Sequence, residues 1–197
     1  MTLAMSTVPG RPTSKPFALI DRDGTLIVEK NYLSEPNEVE LIPGAAPALQ
    51  KLQAMGYGVC LVTNQSGISR GLFDFNQLQQ IHDHLEKLLN SSGVKLDGIF
   101  VCPHAPGDGC RCRKPMPGLI EQAISIHGFD PRNSWVVGDK EIDVELGRAV
   151  GARSILVRTG YGRLHDGGTQ AEFIVDDLAG AANIILGSTA RPVPPSI

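Results

Sequence analysis

No run in the 197-residue chain approaches the roughly 18 consecutive apolar residues of a membrane helix. The opening stretch MTLAMSTVPGRPTSKP has no apolar central region, so it does not read as a secretory signal. Excess positive charge is missing as well. Eighteen Lys and Arg stand against 21 Asp and Glu, a formal net charge of −3, and nothing in that balance favours a nucleic-acid surface. There is no internal repeat and no second composition regime. These absences predict a cytoplasmic protein, with no membrane or nucleic-acid partner, that works as a monomer. Cysteine is sparse, at four residues, and three of them crowd between Cys102 and Cys112. In a reducing compartment such a cluster points to metal or chemistry rather than to disulfides.

What the chain does have is an ordinary globular balance, 42% hydrophobic and 20% charged. That is enough to bury a core without covalent staples. Short β-branched runs alternate with helical patterns. The expected strands are Phe17 to Asp21, Tyr57 to Thr63, Gly98 to Cys102, Ser134 to Asp139, and the runs SILV and EFIV. The expected helices are Ala45 to Met55, a helix capped by Asp74 and running to about Asn90, and Pro117 to His127. A short one follows around Ile142, Leu146 and Ala149, and a closing one spans Leu178 to Leu186. Such alternation predicts an α/β fold, a Rossmann-like parallel sheet flanked by helices. One domain at 17–187 would sit between flexible tails at 1–16 and 188–197.

The polar residues fall where such a sheet keeps its crevice, at the carboxyl ends of the strands. The first expected strand ends in Asp21, the second in Thr63-Asn64, the third in Cys102-Pro103-His104 and the fourth in Gly138-Asp139-Lys140. In Asp21-Arg22-Asp23-Gly24-Thr25, two carboxylates two residues apart can share one divalent cation and still take different roles. Gly24 lets the chain turn sharply. Thr63 to Gly71 is a strand end followed by small polar residues and glycines, a pattern suited to anions. Within it Asn64, Gln65 and Ser66 are candidate ligand contacts. Arg70 either grips a distal phosphate or points to solvent.

Cys102, His104, Cys110 and Cys112 form a C-x-H-x5-C-x-C pattern in one Gly/Pro-rich loop. Three thiolates and an imidazole suit a closed tetrahedral Zn²⁺ site, hence a structural one. The loop runs straight into Arg113-Lys114, so zinc would pin the segment that presents both cations. Cys60, Trp135 and Phe173 read as core. His82, His84, His127 and His165 read as structural or surface groups, the last in a polar loop. Asp176-Asp177 reads as the opening of the last helix.

Taken in order, DxDGT, Thr63, Lys114 and Gly138-Asp139-x3-Asp143 resemble the four motifs of the haloacid dehalogenase (HAD) phosphatase superfamily, over residues 17 to about 160. The resemblance implies a Mg²⁺-dependent aspartyl-phosphate mechanism. Asp21 would be the nucleophile, and Asp23 the acid and then the base, with a pKa raised by its carboxylate neighbour. Thr63 and Lys114 would hold the transferring phosphoryl oxygens. Asp21, Asp139 and the Asp23 carbonyl would bind Mg²⁺. Lys140 would pair with a site carboxylate, and Asp143 would orient the metal shell. The intervals between motifs leave no room for a large cap domain. Capless relatives with such a loop resemble two groups, acting on a heptose 1,7-bisphosphate or on histidinol phosphate. NYLSEPNEVELIPGA, TNQSGISRG and GDKEID favour the heptose group. In that group Glu29 and Tyr32 would contact the sugar and Arg113 the second phosphate. A phosphorylated sugar is thus the expected partner, with a broad sugar phosphatase or a non-catalytic phosphate-binding regulator as rivals.

Overall fold

The structure, a computed structural model, describes residues 15–188; the expected tails at 1–16 and 188–197 lie outside the described residues except for 15, 16 and 188. The strands are β1 Phe17–Ile20, β2 Gly58–Asn64, β3 Gly98–Cys102, β4 Trp135–Gly138, β5 Arg153–Val157 and β6 Phe173–Val175. The helices are α1 Ala45–Ala54, α2 Phe75–Ser91, α3 Gly118–His127, α4 Glu141–Val150, α5 Gly162–His165 and α6 Leu178–Ser188. The strands form one parallel sheet in the order β3-β2-β1-β4-β5-β6. From β1 the chain moves outward through β2 to β3, then returns to the other flank of β1 as β4. The strand order reverses between β1 and β4, and a ligand crevice opens outside their carboxyl ends.

Side chains alternate across each strand and so feed two cores. Ala18 and Ile20 of β1, with Val59 and Leu61 of β2, pack against Leu49 and Leu52 of α1, Ile81 and Leu85 of α2, and Ile185 of α6. Phe17 and Leu19, with Cys60 and Val62, face Leu119, Ile120 and Ala123 of α3 and Leu146 of α4. Each fully buried Leu or Ile contributes about 1.5–3 kcal/mol. Two such layers hold the strand ends rigidly. Helix α2 starts as its sequence requires. Asp74 accepts from the Gln77 amide at 2.8 Å, and the Gln77 side chain accepts from the Asp74 amide at 3.1 Å.

Cys60 is fully buried, and that burial pushes its thiol up to about 12. Trp135 is core, with the Arg153 guanidinium 3.9 Å from its ring centroid. Phe173 is only half-buried, because β6 is an edge strand with a neighbour on one side. His165 ends the single turn of α5 rather than lying in a loop; four residues are too few to show a period in sequence. Asp177 caps α6 by accepting from the Gly180 amide at 2.8 Å, while Asp176 pairs instead with Arg158 at 2.9 Å. Among the described residues no second domain covers the crevice. Between β1 and α1 the chain makes only a small flap, held by the Ile27–Leu41 bridge and a 3-10 turn at Pro36–Glu38.

Candidate active site

A cavity of about 330 Å³ opens at the carboxyl edge of β1, β2 and β4. Its lining includes Asp21, Asp23, Glu29, Tyr32, Thr63, Ser66, Arg113, Lys114, Lys140 and Tyr161. Asp21 continues β1, its amide donating to Val137 O at 2.9 Å. The buried Lys114 ammonium lies 2.7 Å from Asp21 Oδ1, 2.6 Å from Asp143 Oδ1 and 2.9 Å from Val62 O. The ammonium is thus bonded to a strand carbonyl and flanked by two carboxylates. Burial alone would lower its pKa, but Asp143 and Asp21 outweigh that and raise it. Asn64 fixes the same residue by its backbone, accepting from Lys114 N at 3.0 Å and donating to Lys114 O at 3.3 Å.

Three carboxylates, from Asp21, Asp139 and Asp143, bring oxygens within 4.8 Å of one another. Burial, then the Asp21 charge, pushes Asp139 up to about 7. Its Oδ2 accepts from Tyr161 N at 2.8 Å, while Oδ1 is buried with no hydrogen-bond partner among the described residues. A hard divalent cation with oxygen ligands would satisfy that atom and relieve the repulsion, so the residues fit Mg²⁺. Asp143 is already engaged by Lys114 and by Lys140 N at 3.2 Å, which leaves Asp21 and Asp139 the freer ligands. Gly24, at φ +81°, lies so close that any Cβ there would collide with Asp139 Oδ2.

Asp23 is held differently. Arg22 Nε donates to its Oδ2 and Nη2 to its Oδ1, each at 3.0 Å, and Gln65 Nε2 donates to Oδ2 at 2.8 Å. Burial raises the Asp23 pKa, but Arg22, then Gln65 and Lys140, more than offset it, and the carboxyl titrates below its ordinary value. This corrects the expectation of a raised pKa. The neighbour that dominates is the guanidinium between the two aspartates, not Asp21.

The cysteine loop closes on itself. Cys102 Sγ lies 3.5 Å from His104 Nδ1, 3.7 Å from Cys110 Sγ and 3.3 Å from Cys112 Sγ, and His104 Nδ1 lies 3.2 Å from Cys112 Sγ. Zn–S bonds of about 2.3 Å in a tetrahedron require S···S edges of about 3.8 Å, close to this cluster. Arg113 leaves the loop with Nη1 donating to His104 O at 3.0 Å.

Two family models match the chain. One, described as haloacid dehalogenase-like hydrolase, covers residues 18–94, and one, described as HAD-hydrolase-like, covers residues 111–181. The D-glycero-beta-D-manno-heptose-1,7-bisphosphate 7-phosphatase of Pasteurella multocida is 41% identical over 180 residues, covering 88% of this chain and 98% of that protein. The chain belongs to the haloacid dehalogenase-like hydrolases. The Pseudomonas aeruginosa protein of the same name is 38% identical, covering 88% of this chain and 99% of its own. The crystal structure of D,D-heptose 1,7-bisphosphate phosphatase from B. bronchiseptica, complexed with magnesium and phosphate, matches with a TM-score of 0.82 at 36% identity. It covers 88% of this chain and 99% of that one.

Of the residues that carry the HAD-like motifs, Asp21, Asp23, Thr63 and Lys114 line the cavity, while Asp139 and Asp143 are buried beside Asp21 outside its lining. Glu29 and Asp139 approach Lys140 Nζ at 3.4 and 3.7 Å, so Lys140 pairs with both. Asn64 and Gln65 line the wall, but their amides are spent on Lys114, Asp23, Thr63 and Arg22. Arg70 is exposed and outside the lining, its guanidinium 5.8 Å from the Tyr32 ring centroid. Two participants went unremarked in the motifs. Tyr161 lines the cavity, with Lys140 Nζ 4.7 Å from its ring centroid. Arg22, 1% exposed, reaches His82 Nε2 at 3.2 Å. Arginine only donates, so His82 must accept there as the neutral ring.

Burial, then Arg22, lowers the His82 pKa to about 4, against the weaker pull of Asp23 and Asp83. The ordinary value is about 6.5, so below it the unfolded chain takes up a proton that the fold refuses. Stability is therefore full above about pH 6.5 and falls by about 3 kcal/mol as pH drops towards 4. Urea unfolding at pH 7, 5.5 and 4.5 should show this slope in the wild type and a shallower one in His82→Gln. Identical slopes would count against it.

Proposed function

We propose that this chain is a Mg²⁺-dependent phosphatase. It removes the 7-phosphate of D-glycero-beta-D-manno-heptose 1,7-bisphosphate and leaves heptose 1-phosphate. The observation that carries the reading is the floor of the cavity, where Asp21 lies between the Lys114 ammonium at 2.7 Å and the Asp139 oxygen that accepts no hydrogen bond among the described residues. The names of the relatives supply the sugar and the anomer.

A phosphate dianion repels a carboxylate nucleophile. Mg²⁺, held by Asp21, Asp139 and the Asp23 carbonyl, would supply the charge that cancels this repulsion. Asp21 attacks phosphorus and Asp23 protonates the departing alkoxide. Asp23 then removes a proton from the water that hydrolyses the aspartyl phosphate. Lys114 contributes charge to the phosphoryl oxygens from below, its ammonium held between Asp21, Asp143 and Val62 O. Thr63 Oγ1, oriented by Gln65 Nε2 at 2.8 Å, donates to one phosphoryl oxygen. Glu29 and Tyr32 meet the sugar beside Lys140 and Ser66. We read the working unit as a monomer, since the chemistry proposed here calls on the side chains of one chain alone. No helix among the described residues is long and apolar enough to cross a membrane.

The test is phosphate release with Mg²⁺ from the two heptose bisphosphate anomers and from histidinol phosphate. The beta bisphosphate should be preferred, and a preference for histidinol phosphate would overturn the assignment. Arg113 gives the sharper version. Its fork suits a second phosphate, and one charged hydrogen-bonded contact is worth roughly 1.5–3 kcal/mol, or about 10- to 150-fold in kcat/KM. Arg113→Ala should cost the bisphosphate that much and a sugar monophosphate far less. Equal losses would mean that Arg113 only braces its loop against His104 O.

Structural zinc belongs to the same reading. Protein purified without added metal should carry one zinc per chain by elemental analysis. Cys110→Ser should lose it and free the remaining thiols to react.

A further inference from the structure

Arg22 is 1% exposed, yet its guanidinium bonds to three different side chains. Nε and Nη2 grip the two oxygens of Asp23, Nη2 also donates to Gln65 Oε1 at 2.9 Å, and Nη1 meets His82 Nε2. Gln65 ties the cluster to the sheet, since its amide also bonds Asp23 Oδ2 and Thr63 Oγ1. A carboxylate has about four acceptor positions, two on each oxygen. On Asp23 Oδ2, Arg22 Nε and Gln65 Nε2 fill both. On Oδ1, Arg22 Nη2 fills one.

We propose that Arg22, braced by Gln65 and His82, is a positioning residue that fixes the plane of the Asp23 carboxyl and leaves Oδ1 as its proton-carrying atom. The inference rests on Asp23 being the acid and base of the reaction. In the first step an Asp21 oxygen bonds to phosphorus, the P–O bond to the sugar breaks, and the proton that Asp23 takes up from solvent as the phosphate dianion enters leaves Oδ1 for the alkoxide oxygen, so that Asp23 becomes a carboxylate again. In the second, Oδ1 takes a proton from water as the water oxygen bonds to phosphorus and the P–O bond to Asp21 breaks. One atom serves both steps, so an error in its placement harms both. A planar fork specifies a carboxylate plane and an ammonium does not, so lysine cannot replace Arg22.

The test compares kcat/KM, which reports events up to departure of the alcohol, on a sugar phosphate and on p-nitrophenyl phosphate. An alkoxide must be protonated as it leaves, whereas nitrophenolate leaves readily as the anion. Arg22→Lys should lose roughly 100-fold on the sugar phosphate, the scale of a misplaced general acid, and far less on the nitrophenyl ester. In the Asp23→Asn background the same change should cost nothing further on the sugar phosphate, because its effect runs through Asp23. Equal losses on the two esters, or a full additional loss in that background, would show that Arg22 is only structural. If Arg22→Lys fails to fold by circular dichroism, His82→Leu takes its place. It should give the same preferential loss at smaller size, and equal losses again overturn the proposal. Wild-type protein inactive on both esters overturns the phosphatase reading, and this inference with it. Active wild type with no preferential loss overturns this inference alone.

Discussion

Asp21→Asn should lower phosphate release by roughly four to six orders of magnitude, the scale seen when a nucleophile is removed. The same substitution should leave the fold intact, for an electrostatic reason. Asp21 shares a buried site with Asp139 and Asp143, and its charge helps to push Asp139 up to about 7. An amide of the same shape removes one of the three like charges and leaves Lys114 its ion pair with Asp143 at 2.6 Å. Thermal unfolding should therefore show a stability equal to or above wild type, opposite in direction to the activity. Retention of more than about 1% of Mg²⁺-dependent turnover would sink the assignment, since general effects on an active site rarely exceed a hundredfold.

Lys114→Met should be harmful in both respects. It removes the single ammonium between two buried carboxylates and leaves them facing each other. Breaking a buried ion pair from one side costs about 3–5 kcal/mol. Losing a preorganised positive charge beneath a transferring phosphoryl group costs about 10²- to 10³-fold in kcat. The two losses separate in a second variant. Adding Asp143→Asn to Lys114→Met removes an uncompensated charge, so urea unfolding should recover much of the stability while activity stays low. A double variant no more stable than the single one would mean that Lys114 matters for packing rather than for charge.

The sheet and the line of motif residues were legible in the sequence because each rests on a local rule. Phe17 to Ile20 is an apolar run followed by a carboxylate, and Gly98 to Cys102 is one ending in a cysteine of the candidate metal cluster. The parts that were not legible rest on pairings between distant or hidden positions. Arg22 occupies the unspecified place between two aspartates, where any residue satisfies the pattern, and its partners Gln65 and His82 lie 43 and 60 positions away. The Asp23 shift has the opposite sign to the one expected because this guanidinium outweighs the neighbouring carboxylate. Tyr161 comes from the loop after β5, and only the fold brings its amide to Asp139. Asn64 and Gln65 have the polarity of an anion loop, and polarity alone does not say whether an amide faces a ligand or another part of the protein.

The two cations at the end of the cysteine loop are anchored independently. Arg113 hangs on the carbonyl of His104, a member of the candidate zinc cluster, whereas Lys114 is clamped to Asn64 on β2 and to two carboxylates. Loss of zinc would thus loosen the first grip and spare the second. Under the proposed function, this divides discrimination from chemistry across one peptide bond. A metal-starved cell would hold an enzyme that still cleaves phosphate esters but has become indiscriminate about which ones.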